Sequence, residues 1–254
     1  MAPELRRLTG DALLIWGDAR ERREALAAIV AASDAADPVL QQATVRRIDS
    51  AVVEGLQALQ LRRELGSEVQ VGSFNRGWIG RVTPDGRILF DIDEMRHYVT
   101  VARQPDRIFH TWVHESHHAR CPASLNRRSE YVNWPGYEEG MAEGLARVVT
   151  GTKAGMAVAD LSYEYYVQAY RSLAVSAGFD VGGLWRALWL HPPGDVREHL
   201  VSIVDAGWRE RTGETLNPTQ RSRLRAVADR VFMPRRDGGW DSAVLVRLWE
   251  SVFR

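Results

Sequence analysis

Cysteine is almost missing from these 254 residues: Cys121 stands alone, so no internal disulfide can form and the fold cannot depend on an oxidising compartment. Lysine is as scarce. Of the 33 basic residues only Lys153 is not arginine, which most simply reflects GC-rich coding and, in a sharper reading, a protein that gains by lacking ubiquitination sites. An excess of either charge is absent too, because 33 acidic residues balance the 33 basic ones. That removes any general pull on nucleic acid or on an anionic membrane, and neither is an expected partner. No apolar run approaches the ~20 residues of a membrane helix. The short apolar stretch before Gly17 and Asp18 is no secretory signal, so cytoplasmic residence is the default expectation. What is present is ordinary for a globular chain: 45% hydrophobic and 26% charged residues, enough to build a core without staples. Nine tryptophans, scattered from Trp16 to Trp249, read as core anchors.

Three regions differ in texture. Residues 1–66 repeat apolar positions every three or four residues with Arg and Glu between, which predicts a helical region broken at Pro38. Residues 67–150 begin with three short β-rich runs, VQVGSF, GWIGRV and RILFDID, the last two joined by the turn Thr83-Pro84-Asp85-Gly86. They predict a small antiparallel sheet. A helix follows over 104–120, then a loop over 121–136 and a helix over 137–150. Residues 151–254 form a helical lobe with helices expected near 158–177, 181–190, 195–211, 218–232 and 240–253. The fold class is α+β.

One segment carries chemistry: His110-Thr111-Trp112-Val113-His114-Glu115-Ser116-His117-His118. Within it, His114-Glu115-x-x-His118 places two imidazoles four residues apart on a helix, about 40° apart in azimuth and ~6 Å in rise. Imidazoles so placed can converge on one ion. Glu115 then lies beside the metal and not on it, where it can take a proton from a water held there. The pair His110 and His114 has Thr111 where the base should be, and His114 with His117 breaks the usual register. Ile108, Phe109, Trp112 and Val113 give the helix an apolar face to bury. A surface histidine cluster without function is the bland alternative.

The third ligand separates the families that share this motif. A metzincin would need Gly and His where Cys121 and Ser124 stand, and an aspartate-ligand zincin would need Asp where Gly151-Thr152-Lys153-Ala154 ends in alanine. Downstream lies Tyr137-Glu138-Glu139-Gly140-Met141-Ala142-Glu143, which resembles the Glu-x-x-x-(Asp/Glu) helix of the gluzincin metallopeptidases, the group of thermolysin and the zinc aminopeptidases. The resemblance covers roughly residues 80–150. It implies Glu139 as third ligand and Glu143 as its companion behind the ligands. Spacing favours the same register: Glu139 and Glu143 share one face, whereas Glu138 meets only Ala142 four residues on. A helical Glu pair alone would more often be a solvated face.

The resemblance implies a zincin-like fold, one Zn²⁺ per chain, and hydrolysis of peptide bonds in a peptide or protein substrate. It implies a substrate-pairing edge strand, for which Arg87–Asp93 is the candidate, and a tyrosine or histidine that stabilises the oxyanion. Tyr166, on a helix that also carries Tyr163 and Tyr170, is that candidate, with His191 and His199 as alternatives. Cys121 is either an inert thiol or a fourth ligand. Asp91, Asp93 and Glu94 suit a strand end and helix cap better than a calcium site. The large unfamiliar flanks fit a specialised endopeptidase of toxin or processing type, for which an inhibitor or immunity protein is an expected partner. The rival is a non-catalytic module with a structural zinc that binds a protein partner.

Overall fold

The computed structural model describes residues 8–59, 68–120, 134–150, 163–190, 196–233 and 241–254. The protein is mostly helical with one small three-stranded sheet, an α+β chain in the coarse sense. No described helix is long and apolar enough to cross a membrane. Two compact units emerge: Met1–Cys121 with Val149–Thr152, and Pro122–Val148 with Lys153–Arg254.

In the first unit, α1 (Gly10–Gly17), α2 (Ala19–Asp34) and α3 (Pro38–Ala58) pack together. Asp18 and Asp37 start α2 and α3 by accepting backbone N–H groups of Arg20 and Leu40, and Pro38 occupies the first turn of α3. The buried positions Leu26, Ile29 and Val30 of α2 and Val45, Ile48, Val52 and Leu56 of α3 repeat at helical spacing. Trp16 threads between them, its indole N–H donating to the Ala51 carbonyl at 2.7 Å.

The sheet contains β1 (Val69–Gly72), β2 (Gly80–Val82) and β3 (Ile88–Asp91), in the order β1-β3-β2. The turn at 83–86 makes β2 and β3 an antiparallel hairpin, with Gly86 at φ +83°. β1 instead adds parallel to the other side of β3. Two expectations are corrected here. The sheet is mixed and not antiparallel, and the strand within Arg87–Asp93 is central, so it cannot offer an edge. The edge facing the hairpin side is β2. The reason is topological: the hairpin is local, but the flank of β3 that β1 occupies is not encoded in either strand's own pattern.

β3 ends at Asp91 because Asp91 serves two masters. One carboxylate oxygen caps α4 (Ile92–Arg96) by accepting from the N–H groups of Asp93 and Glu94, and the other accepts from Phe74 and Asn75 at 2.9 Å. The cap reading of this acidic cluster therefore holds. A π-helical turn, His97–Val101, continues α4, and α5 (Pro105–Arg120) follows.

In the second unit, α6 (Gly136–Thr150, its last two residues counted with the first unit) is followed by α7 (Glu164–Ala177), α8 (Val181–Leu190), α9 (Val196–Thr212), α10 (Pro218–Phe232) and α11 (Ser242–Phe253). These match the expected helices within a few residues; positions 121–133, 158–162, 195 and 240 lie outside the described residues. α6 carries Gly136, Gly140 and Gly144 along one stripe. A Cβ at Gly136 would overlap Tyr166, one at Gly140 would meet Tyr166 and Tyr170 at 2.9 Å, and one at Gly144 would overlap the Trp185 indole. The glycines admit large rings against the helix backbone. Phe232 of α10 joins them, within 4.6 Å of both Tyr137 and Tyr170, and Trp249 of α11 donates to the Ala169 carbonyl.

Burial raises the phenol pKa of Tyr137, Tyr166 and Tyr170, with the Asp229 carboxylate adding to Tyr137 and Tyr165 to Tyr166. The unfolded chain would release these protons near pH 10 while the folded one keeps them. Stability from this source is thus complete below that pH and falls as pH rises through and beyond it. We expect these three tyrosines to ionise only with unfolding, seen as a slow 295 nm phase after an alkaline jump; rapid, complete ionisation of all tyrosines would contradict their burial. Asp91→Ala, which strips partners from four backbone N–H groups, should lower unfolding stability by about 2–4 kcal/mol in a denaturant titration. A change under about 0.5 kcal/mol would mean that the cap is dispensable.

Candidate metal centre

α5 begins with Pro105 and Asp106, residues suited to a helix's first turn. Its apolar residues bury into the first unit: Phe90 stacks on Trp112 at 4.5 Å, Phe109 meets Trp16 edge-on at 5.0 Å, and the Trp112 indole donates to Asp49. This packing fixes the helix's rotation and with it the histidine side. His114 and His118 are both buried, and their Nε2 atoms face each other at 2.9 Å. His117 is fully buried, and His110 Nδ1 lies 3.3 Å from the Thr150 hydroxyl.

Glu115 is the exception on this stretch. From Trp112 to Ala119 every residue is buried except Glu115, which keeps partial exposure. β2 comes close to it because Gly80 has no side chain: a Cβ there would stand 2.9 Å from the Thr111 methyl and 3.2 Å from Glu115 Cγ. No pattern in the sequence marked Gly80 as part of the site; the signal was only a glycine in a β-rich run, which often means close backbone approach.

On α6, Glu139 is 3% exposed and Glu143 9%. Glu143 Oε1 accepts from Arg147 Nε at 2.7 Å, and the same guanidinium bonds Glu164 of α7, whose other oxygen accepts from Gln168. Tyr166 packs on Phe232 and on the glycine stripe, and its hydroxyl donates to the Met233 carbonyl at 3.3 Å. The Glu139 carboxylate lies near enough to add to the upward pKa shift of that phenol. Tyr170 donates to the Tyr137 carbonyl, Tyr163 precedes α7, and His199 sits half-buried on α9. Cys121, His191 and Gly151–Ala154 lie outside the described residues.

His114, His118 and Glu139 each offer one ligand atom, and these atoms lie within 4.8 Å of one another, all on buried residues. Two imidazole nitrogens held at 2.0–2.1 Å in a tetrahedral shell stand about 3.3 Å apart. The observed 2.9 Å needs only a small opening of the two rings. Donor types and spacing therefore fit a divalent ion bound by two imidazoles and a carboxylate, and among the described residues these three fill three positions of a tetrahedral shell. No match to this chain is found among protein families, curated proteins or solved structures.

The Arg147 pairing is largely buried, with side chains 16% and 12% exposed, so removing the cation should be costly. Arg147→Met is expected to lose about 2–4 kcal/mol of unfolding stability, and adding Glu143→Gln to recover part of it. A loss below about 0.5 kcal/mol in chemical denaturation would reduce the pair to a surface contact.

Proposed function

We propose that this chain is a zinc-dependent peptidase of the gluzincin type, in which His114, His118 and Glu139 hold the ion and Glu115 is the general base. The observation that carries the reading is the contrast on α5: the donor residues are buried together with Glu139, while Glu115 between them alone keeps access to solvent. A structural zinc would not require that contrast. When bound, zinc supplies Lewis-acid polarisation of a carbonyl and acidifies water.

The chain's own groups do the rest. Glu115 takes a proton from the attacking water and returns it to the leaving amine. Glu143, fixed by Arg147, orients the ligand set from behind, the role that outer carboxylates play for metal-bound imidazoles. β2 receives the substrate backbone. Ile79 and Thr83 bond to β3 through Asp91 and Arg87, so the alternate residues Gly80 and Val82 turn their N–H and C=O groups away from β3, to the side where no described strand pairs. An extended peptide adding there would pass Gly80, beside Glu115. This role passes to β2 from the strand within Arg87–Asp93, which is central. The substrate is a peptide or protein, and a specialised endopeptidase remains the favoured kind.

The test joins metal analysis to a peptide-library cleavage assay with and without chelator. Wild type should hold about one zinc per chain and cleave in a chelator-sensitive way. His118→Ala should lose the metal. Glu115→Gln should keep zinc and melting temperature while turnover falls ~10²–10⁴-fold. Zinc retained at full stoichiometry in a His114→Ala/His118→Ala double variant would sink the ligand assignment. Equal turnover by Glu115→Gln would remove the base, and absence of any cleavage by zinc-loaded wild type would favour the module with a structural metal.

A further inference from the structure

Glu139 occupies an exposed place in the mechanics of its helix, although it is buried from solvent. It is the fourth residue of α6, in the turn where N–H groups lack full helical partners and where helices fray. Here the N–H groups of Glu138 and Glu139 both bond the Pro135 carbonyl, and that of Tyr137 bonds Trp134 at 3.3 Å. Anything that lets residues 134–137 move would swing the Glu139 carboxylate with them.

A cluster within the second unit prevents this. Asp229 of α10 accepts the Tyr137 hydroxyl at 3.0 Å and takes both arms of the Arg197 guanidinium of α9, at 2.7 and 2.5 Å. Arg197 also lies over the Trp134 ring, 4.2 Å from its centre. Asp229 and Arg197 thereby grip the helix start twice, two residues before Glu139 and five before it. The bidentate fork fixes orientation as well as distance, which a lysine could not do. Phe232 against the Tyr137 ring and the Tyr170 hydroxyl on the Tyr137 carbonyl close the remaining sides.

We propose that Asp229, with Arg197, Tyr137 and Trp134, is a positioning device for the metal: it holds the first turn of α6 at the angle from which Glu139 can serve as a ligand. This rests on the reading of Glu139 as third ligand. Neither Asp229 nor Arg197 touches the ion; both act through the backbone of residues 134–139.

Four full-length variants test it: Tyr137→Phe, Asp229→Asn, their double, and Glu139→Ala. Zinc affinity is measured by chelator competition, the ligand field by the visible absorption of Co²⁺-loaded protein, and folding by the melting temperature of metal-free protein. Tyr137→Phe and Asp229→Asn should each weaken zinc binding about tenfold, the low end for supporting residues of a metal site. Both should alter the Co²⁺ spectrum with the metal-free melting temperature within a few degrees of wild type. The double variant should be little worse than either single one, because both cut the same link. If Asp229→Asn does not fold, Tyr137→Phe, which removes one hydroxyl, carries the test. Unchanged affinity and spectrum in Tyr137→Phe, while Glu139→Ala loses the metal, would overturn the device. A fall in melting temperature with an unchanged Co²⁺ spectrum would also overturn it, making the cluster structural only. Metal retained by Glu139→Ala would instead overturn the third-ligand reading on which it rests.

Discussion

Two carboxylates buried one turn apart on a single helix set the terms for the second unit. Glu139 and Glu143 stand ~6 Å apart along α6, and at an effective dielectric near 20 two such charges repel by about 3 kcal/mol. Each also gives up hydration, at a cost of several kcal/mol. The helix offsets part of this from its own resources. Glu139 lies in the first turn, where the macrodipole favours an anion. Glu143 lies one turn above Arg147, within reach of a fork that holds its carboxylate at 2.7 Å. Yet Arg147 is shared with Glu164, so one cation serves two anions there, with Arg171 3.8 Å from Glu164 as a weaker second. A dication at the Glu139 end, as proposed, would add positive charge beside these two carboxylates.

The same helix pays a conformational cost for its depth. Gly140 and Gly144, inside the helix, cost about 1 kcal/mol each relative to alanine. They are used against three of the largest side chains in the unit, Tyr166, Tyr170 and Trp185. An aromatic ring buries 150–250 Å², roughly 4–6 kcal/mol of apolar transfer, so the exchange favours the packed state. It also makes α6 rigid in rotation, because a glycine stripe filled by rings leaves few alternative settings. Rotational rigidity is what a helix needs if it must present a ligand at a defined azimuth.

Much of this was legible in the chain. Helical spacing located nearly every helix, because amphipathic periodicity is a local property. The His114–Glu115–His118 spacing and the Glu139–Glu143 spacing singled out four residues that are buried, His114, His118, Glu139 and Glu143, and one, Glu115, that keeps partial exposure. Three features escaped. The flank of β3 chosen by β1 depends on a parallel pairing that no turn encodes, so the strands' own patterns do not tell the central strand from the edge. The helix-then-π segment from Ile92 to Val101 follows a strand without an intervening loop, and its start is visible only through the Asp91 cap. The Arg197–Asp229–Tyr137 cluster joins residues 32 and 92 positions apart, a distance at which spacing says nothing. The scarcity of lysine reads differently in this light. Arg22, Arg96 and Arg147 each join acceptors on different residues, and Arg197 and Arg225 each hold both oxygens of one carboxylate, geometries that a lysine's single ammonium centre meets poorly.

A structural metal and a catalytic one ask different things of the residue next to a ligand. A structural site needs only a closed shell, and it makes no demand on the residue after His114. For a catalytic site the carboxylate must stay ionised at neutral pH, reach water, and avoid the metal. Glu115 meets the demands that burial can report. It lies on the one partly exposed position in an otherwise buried run, and the neighbouring strand carries a glycine at the point of approach. A larger residue than glycine at position 80 would push β2 away from Thr111 and Glu115 and move the open edge of the sheet with it. The missing side chain at Gly80 of β2 and the partial exposure of Glu115 on α5 are therefore two sides of one arrangement, the one that the proposed reading uses.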